Sequence, residues 1–325
     1  MKPIVSAETS ERVHLAERSK RGAETRRPHL RLIALICYCA ALLIGFAPVL
    51  FDLFKYALNS ELHSHIILVP FISGYLIGIQ RAQLPTVYRS CVTAGGLAAF
   101  FGLVLIAIVK LPAIAFTILS RNDQFAVLTV ALVSLLVAGG FFFLGRSLMA
   151  AVAFPISFLV FMVPLPDAMA ESLERGSQLA SAEAANALFI LFGVPFLRDG
   201  LVYRLPNIAI EVAHECSGIR SSWVLFMTSV LGAHMFLRTS WRRALVALAV
   251  IPLGILRNGI RILVIAVLCV EIGPEMIDSF LHRRGGPLFF ALSLVPLFGL
   301  LWWLRTIEGR TTQETRAAAA NKRPE

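Results

Sequence analysis

Residues 244–272 read ALVALAVIPLGILRNGIRILVIAVLCVEI. The run exceeds the roughly 20 residues a helix needs to cross a bilayer, and outside the polar turn Arg257–Arg261 its residues are apolar on almost every face. A helix that is hydrophobic all round belongs in a large core or in lipid. Further apolar runs at about 31–51, 66–80, 92–116, 125–145, 147–165, 221–237 and 286–304 select lipid. Composition agrees: 57% of the 325 residues are hydrophobic and 15% are charged, against about 25% charged in a soluble domain. The fold class is therefore an all-α polytopic membrane protein of about eight transmembrane helices. Its membrane domain covers 31–304, between basic tails at 1–30 and 305–325 that read as disordered and cytoplasmic.

The formal net charge of +10 does not indicate a nucleic-acid partner, because the basic residues sit in tails and short loops rather than along a stripe. They report topology instead. Arg18, Lys20, Arg21, Arg26 and Arg27 precede the first run, which is too long for the core of a cleaved signal peptide. With that end inside, the inner loops carry Arg81 and Arg89, then Arg146, then Arg238, Arg242 and Arg243. The C-terminal tail, with Arg305, Arg310, Arg316, Lys322 and Arg323, also falls inside, as the positive-inside rule asks. The outer stretches are then 52–65, 117–124, 166–220 and 273–285. Residues 168–197 read as helices lying on or dipping into the membrane. Gly200–Val212, GLVYRLPNIAIEV, alternates on either side of Leu205-Pro206-Asn207 and predicts a short β-hairpin.

Three polar clusters interrupt this pattern: Glu211–Ser222 (EVAHECSGIRSS), Arg257–Arg261 (RNGIR) and His282–Gly286 (HRRGG). Polar groups in or beside spans are costly and tend to be functional. Cys216 lies 22 residues before Arg238, Arg261 lies 17 beyond Ala244, and His282 lies 21 before Trp303. At about 1.5 Å per residue all three reach the outer boundary. Cys37, Cys39, Cys91 and Cys269 read as apolar packing residues, and an odd count without C-x-x-C argues against disulfides or zinc.

Cys216 is different. Cysteine attacks as thiolate, which a helix N-terminus or a nearby cation favours, and Cys216-Ser217-Gly218 is expected to open a span. Arg257, Asn258 and Arg261 share one helix face, and arginine suits an oxyanion or a carboxylate. His282 can exchange protons near neutral pH. Together these residues suit acyl transfer through a thioester. Packing of Cys216, snorkelling of Arg257 and Arg261, and interfacial anchoring by His282 are the plainer readings. On chemistry alone, either arginine serves.

ECSGIRSS, then Asn258-x-x-Arg261, then His282 with Gly286, resembles the exosortase/archaeosortase family of multi-spanning prokaryotic cysteine transpeptidases. His63-Ser64-His65-Ile66 through Leu68-Val69-Pro70 resembles the family's early histidine followed by leucine-valine-proline. The resemblance covers about residues 60–300. It implies Cys216 as nucleophile, Arg261 as catalytic arginine and His282 as third member, with Asn258, Ser217 and Gly218 supporting; Arg257 falls outside the match but lies one turn from Arg261 and is the alternative arginine. For His65 a structural hydrogen bond is the leading reading. The resemblance further implies an inner-membrane enzyme with its site on the extracytoplasmic face. Its substrates would be exported proteins ending in a motif, a hydrophobic helix and a basic tail. No metal or organic cofactor and no particular oligomeric state are implied. The rival reading is a transporter or scaffold for cell-surface polysaccharide, but no internal repeat is visible.

Overall fold

The computed structural model describes residues 30–60, 62–85, 89–111, 119–206, 208–212, 218–278 and 285–320, with side chains through Arg310. The chain divides into two compact units, Met1–Asp167 and Ala168–Glu325. Among the described residues, five helical stretches are long and apolar enough to cross a membrane: Ser64–Gln83, Val92–Lys110, Arg121–Ala151, Ser240–Glu271 and Gly286–Arg310. Two helix pairs pass only when each is counted as one span, Leu30–Gly45 with Ala47–Asn59 and Ala153–Met162 with Asp167–Phe192, giving up to seven. The protein is a helical multi-pass membrane protein, as the apolar runs predict.

Among the described residues two of the eight apolar runs do not form separate long apolar helices, for two physical reasons. The run at 221–237 folds as an 18-residue helix, Ile219–Phe236, whose Arg220, Ser221, Ser222 and His234 dilute its hydropathy. The runs at 125–145 and 147–165 do not make two long helices. A π-helical turn at Gly140–Leu144 joins Arg121–Gly139 to Gly145–Ala151, and only the short Ala153–Phe158 and a 3-10 turn follow.

In the first unit, α1 (Leu30–Gly45) meets α2 (Ala47–Asn59) at a 65° bend. Pro48 opens α2 and has no N–H to extend the ladder of α1. A 3-10 turn, Ser64–Ile67, leads into α3 (Val69–Gln80). Then come α4 (Val92–Lys110) and α5 (Arg121–Gly139), whose N-cap Ser120 accepts a hydrogen bond from Asp123 N at 3.0 Å. The unit ends with α6 (Gly145–Ala151) and α7 (Ala153–Phe158). Gly145, at φ +82°, is the point of closest backbone approach; a Cβ there would meet the Arg89 carbonyl at 1.7 Å.

A buried polar knot joins the start of α5 to the loop before Asp167. Asn122 Nδ2 donates to Leu165 O at 2.6 Å and to Asp167 Oδ1 at 2.7 Å, while Asp167 N donates to Asp123 Oδ1 at 2.9 Å.

In the second unit, α8 (Asp167–Phe192) precedes an antiparallel meander of β1 (Leu197–Asp199), β2 (Val202–Arg204) and β3 (Ala209–Glu211). The predicted hairpin is β2–β3, with Tyr203 opposite Ile210, and β1 adds a strand on the far side of β2. Three helices complete the unit: α9 (Ile219–Phe236), α10 (Ser240–Glu271) and α11 (Gly286–Ala320).

Two cores hold this unit together. Leu225, Leu237, Val246, Val250, Leu297 and Leu301 join α9, α10 and α11. Beyond them, Ile262, Leu263, Ile265, Ala266 and Cys269 of α10 pack with Phe189 of α8 and with Tyr203, Ile210 and Val212 of the sheet region. This second core explains a helix of 32 residues, about 48 Å long against about 30 Å of hydrocarbon. The helix runs continuously from Ser240 to Glu271 with Pro252 inside it, and its C-terminal half packs on α8 and the sheet. Helix α11 runs past the boundary expected at 304. There the buried Glu308 accepts from Arg238 N at 2.9 Å, Thr239 N at 2.8 Å and Thr239 Oγ1, closing the α9–α10 turn.

Candidate active site

Cys216, Ser217 and His282 lie outside the described residues, in 213–217 and 279–284. Both residues that flank 213–217 are described, and each is held by a buried polar side chain. On the N-terminal side, Val212 follows β3 and is 1% exposed. Its N–H donates to Leu201 O at 3.0 Å, and its carbonyl accepts from Nε2 of Gln178, a residue of α8 that is 5% exposed.

On the C-terminal side, Gly218 caps α9 at φ +70°, ψ 8°. Its carbonyl accepts from Arg257 Nη2 at 3.0 Å, and the same Nη2 donates to Ser222 Oγ at 3.1 Å. Arg257 is 6% exposed, and its Nη1 is buried with no hydrogen-bond partner among the described residues.

Glycines at three contacts make the arrangement possible. A Cβ on Gly218 would stand 3.1 Å from Arg257 Nη2 and 3.3 Å from Asn258 Oδ1. One on Gly254 would stand 2.6 Å from Ser222 Oγ, so this glycine admits the first turn of α9 against α10. One on Gly259 would stand 2.8 Å from Ala184 Cβ and 3.2 Å from the Ala184 and Ala185 backbone, so this glycine admits α8. Helix α10 thus carries Gly254, Arg257, Asn258 and Gly259 in consecutive turns between the helices that flank 213–217.

Arg261 is half-buried one turn beyond Arg257. It lies close enough to Arg257 and to Arg220, in the first turn of α9, for its charge to act on both. The structure therefore brings Gly218, Arg257 and Asn258 together, with Arg261 adjoining Arg257. His65 belongs to the first unit. It is buried in the 3-10 turn before α3, where its Nδ1 donates to Leu62 O at 3.0 Å.

Sequence reasoning missed two residues here. Arg220 stood inside EVAHECSGIRSS, four residues after Cys216, and was legible as a further cation. Gln178 carries no motif; only the packing of α8 on the sheet reveals it. Cys269 is fully buried in the apolar core, the packing role its surroundings in the sequence suggested. Among the described residues no group of three or more His, Cys, Asp or Glu is arranged to hold a metal ion.

Chemically, a guanidinium stays protonated and offers directional donors. Two guanidinium-bearing residues next to the start of a helix make an electropositive setting, the kind that favours a thiolate or an oxyanion. These features define a class: helical multi-pass membrane proteins with a buried arginine site at the head of a helix. Residues 57–299 match the family model described as Transmembrane exosortase (Exosortase_EpsH), which covers well over half of the chain. The chain belongs to the transmembrane exosortase family. No curated protein and no solved structure matches it.

Proposed function

We propose that the chain is a membrane processing peptidase and transpeptidase that cleaves the C-terminal sorting signal of exported proteins through a thioester on Cys216. Family membership supports the reading. The observation that carries it is the contact of Arg257 with Gly218, which packs the RNGIR turn of α10 against the residue two positions after Cys216.

In this mechanism the Cys216 thiolate attacks the scissile carbonyl carbon. Arg261 stabilises the oxyanion that develops, and Asn258 supports its helix turn. His282 delivers a proton to the leaving amine as the C–N bond breaks, which releases the hydrophobic helix and its basic tail. An amine or water, deprotonated by His282, then attacks the thioester and regenerates the thiolate. No step calls for a metal or an organic cofactor. The substrate helix enters sideways from the bilayer, the catalytic residues face the extracytoplasmic side of a prokaryotic inner membrane, and both termini are cytoplasmic.

The test is Cys216→Ser in cells making a tagged precursor with a motif, hydrophobic helix and basic tail. The uncleaved precursor accumulates in the variant. Processing at the wild-type rate would show that the thiolate chemistry is wrong.

A further inference from the structure

We infer that the end of the second unit where α9, α10 and α11 meet is a binding site for the headgroup of an anionic phospholipid. Such a site is independent of the chemistry proposed for Cys216.

The chain concentrates charge at this end. Residues 234–243 and 301–310 carry Arg238, Arg242, Arg243, Arg305 and Arg310 against one carboxylate, Glu308. The fold then gathers the first four of these arginines about one short turn. Helix α9 ends at Phe236 and α10 starts at Ser240, so Arg238 belongs to the turn itself. The Arg305 guanidinium lies 5.5 Å from the centre of the Phe236 ring. Arg243 Nε donates to the Leu237 carbonyl at 2.8 Å. Arg242 Nη1 stands 3.8 Å from the Glu308 carboxylate. Arg238 and Arg305 are exposed.

Like charges gathered this closely repel one another, and a single carboxylate offsets one of them at most. Glu308 is moreover committed to the turn. It accepts from the Arg238 and Thr239 N–H groups at 2.9 and 2.8 Å, whereas its 3.8 Å approach to Arg242 is beyond hydrogen-bond length. The cluster therefore calls for a further anion. A guanidinium presents paired N–H donors that match two oxygens of one phosphate, so a phosphate suits it best.

The surroundings say what carries that phosphate. Trp241, Trp302, Trp303 and Phe236 are large exposed rings on the same helix ends. Rings of this kind are favoured at headgroup level, where one side is apolar and the other wet. The Arg242 guanidinium lies 5.4 Å from the Trp241 ring centre, so cation and indole share one surface. Trp302 and Trp303 close the apolar run at 286–304, and Arg305 opens the polar stretch after it. Both α10 and the 286–310 part of α11 are long and apolar enough to cross a membrane, which puts the cluster at the hydrocarbon boundary. A phosphate bound there has acyl chains beside it, lying along the rings and the apolar helix surface. A zwitterionic lipid brings its own cation, which the arginines repel; an anionic lipid brings none.

The experiment uses the full chain with Trp223→Phe, so that the three remaining tryptophans all report from this end. It is reconstituted in phosphatidylcholine nanodiscs with a minor fraction of brominated phosphatidylglycerol or of brominated phosphatidylcholine. Bromine quenches indole fluorescence on contact. Phosphatidylglycerol quenches more at equal mole fraction, and the preference shrinks as salt is added. Arg238→Gln and Arg305→Gln each lower the relative affinity for phosphatidylglycerol roughly fivefold. Arg305→Lys keeps most of it, because the charge remains. Arg81→Gln and Arg89→Gln, which remove exposed cations of the first unit, leave it unchanged.

Melting in pure phosphatidylcholine stays at the wild-type temperature, which separates lost lipid binding from lost folding. Should Arg238→Gln fail to fold, Arg305→Gln carries the test alone. Equal quenching by the two lipids overturns the inference, and so does a preference that survives loss of both Arg238 and Arg305. Displacement by soluble inorganic phosphate, at an ionic strength where chloride does not displace, would make the ligand a free anion and overturn it as well.

Discussion

Gly259 and Gly176 offer the same substitution with opposite expected signs. Both lie inside helices, Gly259 in α10 and Gly176 in α8. Replacing a mid-helix glycine by alanine removes backbone freedom from the unfolded chain and stabilises by about 0.5–1 kcal/mol where space allows. At Gly176 a Cβ meets nothing within 4 Å, so Gly176→Ala gains that amount. At Gly259 the Cβ would stand 2.8 Å from Ala184 Cβ, where ordinary contact begins at 3.4 Å. Two of its three nearest atoms are backbone, the Ala184 carbonyl carbon and the Ala185 nitrogen, which cannot rotate away.

The helices must therefore part by about 0.6 Å, and overpacking of this kind costs roughly 1–3 kcal/mol. Against the helix-propensity gain, Gly259→Ala comes out neutral to about 2.5 kcal/mol destabilising, and about 1–3 kcal/mol below Gly176→Ala. Melting of both variants in one detergent, followed by tryptophan fluorescence, reads the order directly. On the proposed function the same separation disturbs the RNGIR turn, so cleavage by Gly259→Ala falls roughly 10- to 100-fold while Gly176→Ala keeps the wild-type rate. A Gly259→Ala protein that melts as high as Gly176→Ala and cleaves normally would refute the close packing of α8 on α10.

Two further predictions concern the first unit and the topology. His63 is 4% exposed, with Nδ1 2.9 Å from Ser60 Oγ and its ring against Tyr56; burial, reinforced by neighbouring His65, lowers its pKa from 6.5 to about 4. A depressed folded-state pKa gives stability that is complete above 6.5 and declines as pH falls towards 4, by about 3 kcal/mol in full. His63→Gln, which cannot titrate, should show a shallower loss of melting temperature between pH 7 and 4.5; a slope equal to wild type would place the acid sensitivity elsewhere. For topology, a phosphatase reporter inserted at Gly176 should be active outside the cytoplasm, and a reporter fused after Arg310 should behave as cytoplasmic. An inactive phosphatase at Gly176 would invert the proposed orientation.

How legible each feature was depended on whether its cause is local. The lipid-facing class, the hairpin β2–β3 and the charged turn in α10 all follow from periodicity or from cost: alternation around Leu205-Pro206, and cations inside an apolar run. Strand β1 was not legible. It has three residues, too few to show alternation, and besides its ladder to the neighbouring β2 it is held from α8, where Glu183 pairs with Arg198 at 2.6 Å. The runs 125–145 and 147–165 do part at Gly145-Arg146, but an apolar pattern gives no sign that backbone from Arg89 approaches Gly145. Gln178 illustrates the limit most clearly. Its amide acquires a role only once the sheet delivers the Val212 carbonyl to α8.

The placement of the arginines shows why one helix had to do so much. Arg257 must reach the Gly218 carbonyl, so the first turn of α9 must touch α10, and Gly254 permits it. Val212, next to the sheet, is held by Gln178 of α8, and α8 also meets α10, which Gly259 permits. A helix that ended at the hydrocarbon boundary would have no C-terminal half to meet α8 and the sheet, and the polar turn would face lipid or water. Extending α10 to 32 residues buries Ile262, Leu263, Ile265 and Ala266 on one side of that turn, while Val246 and Val250 are buried on the other. The apolar cores before and after RNGIR supply the stability that the buried guanidinium costs. The buried cation is therefore retained without loosening the fold around it.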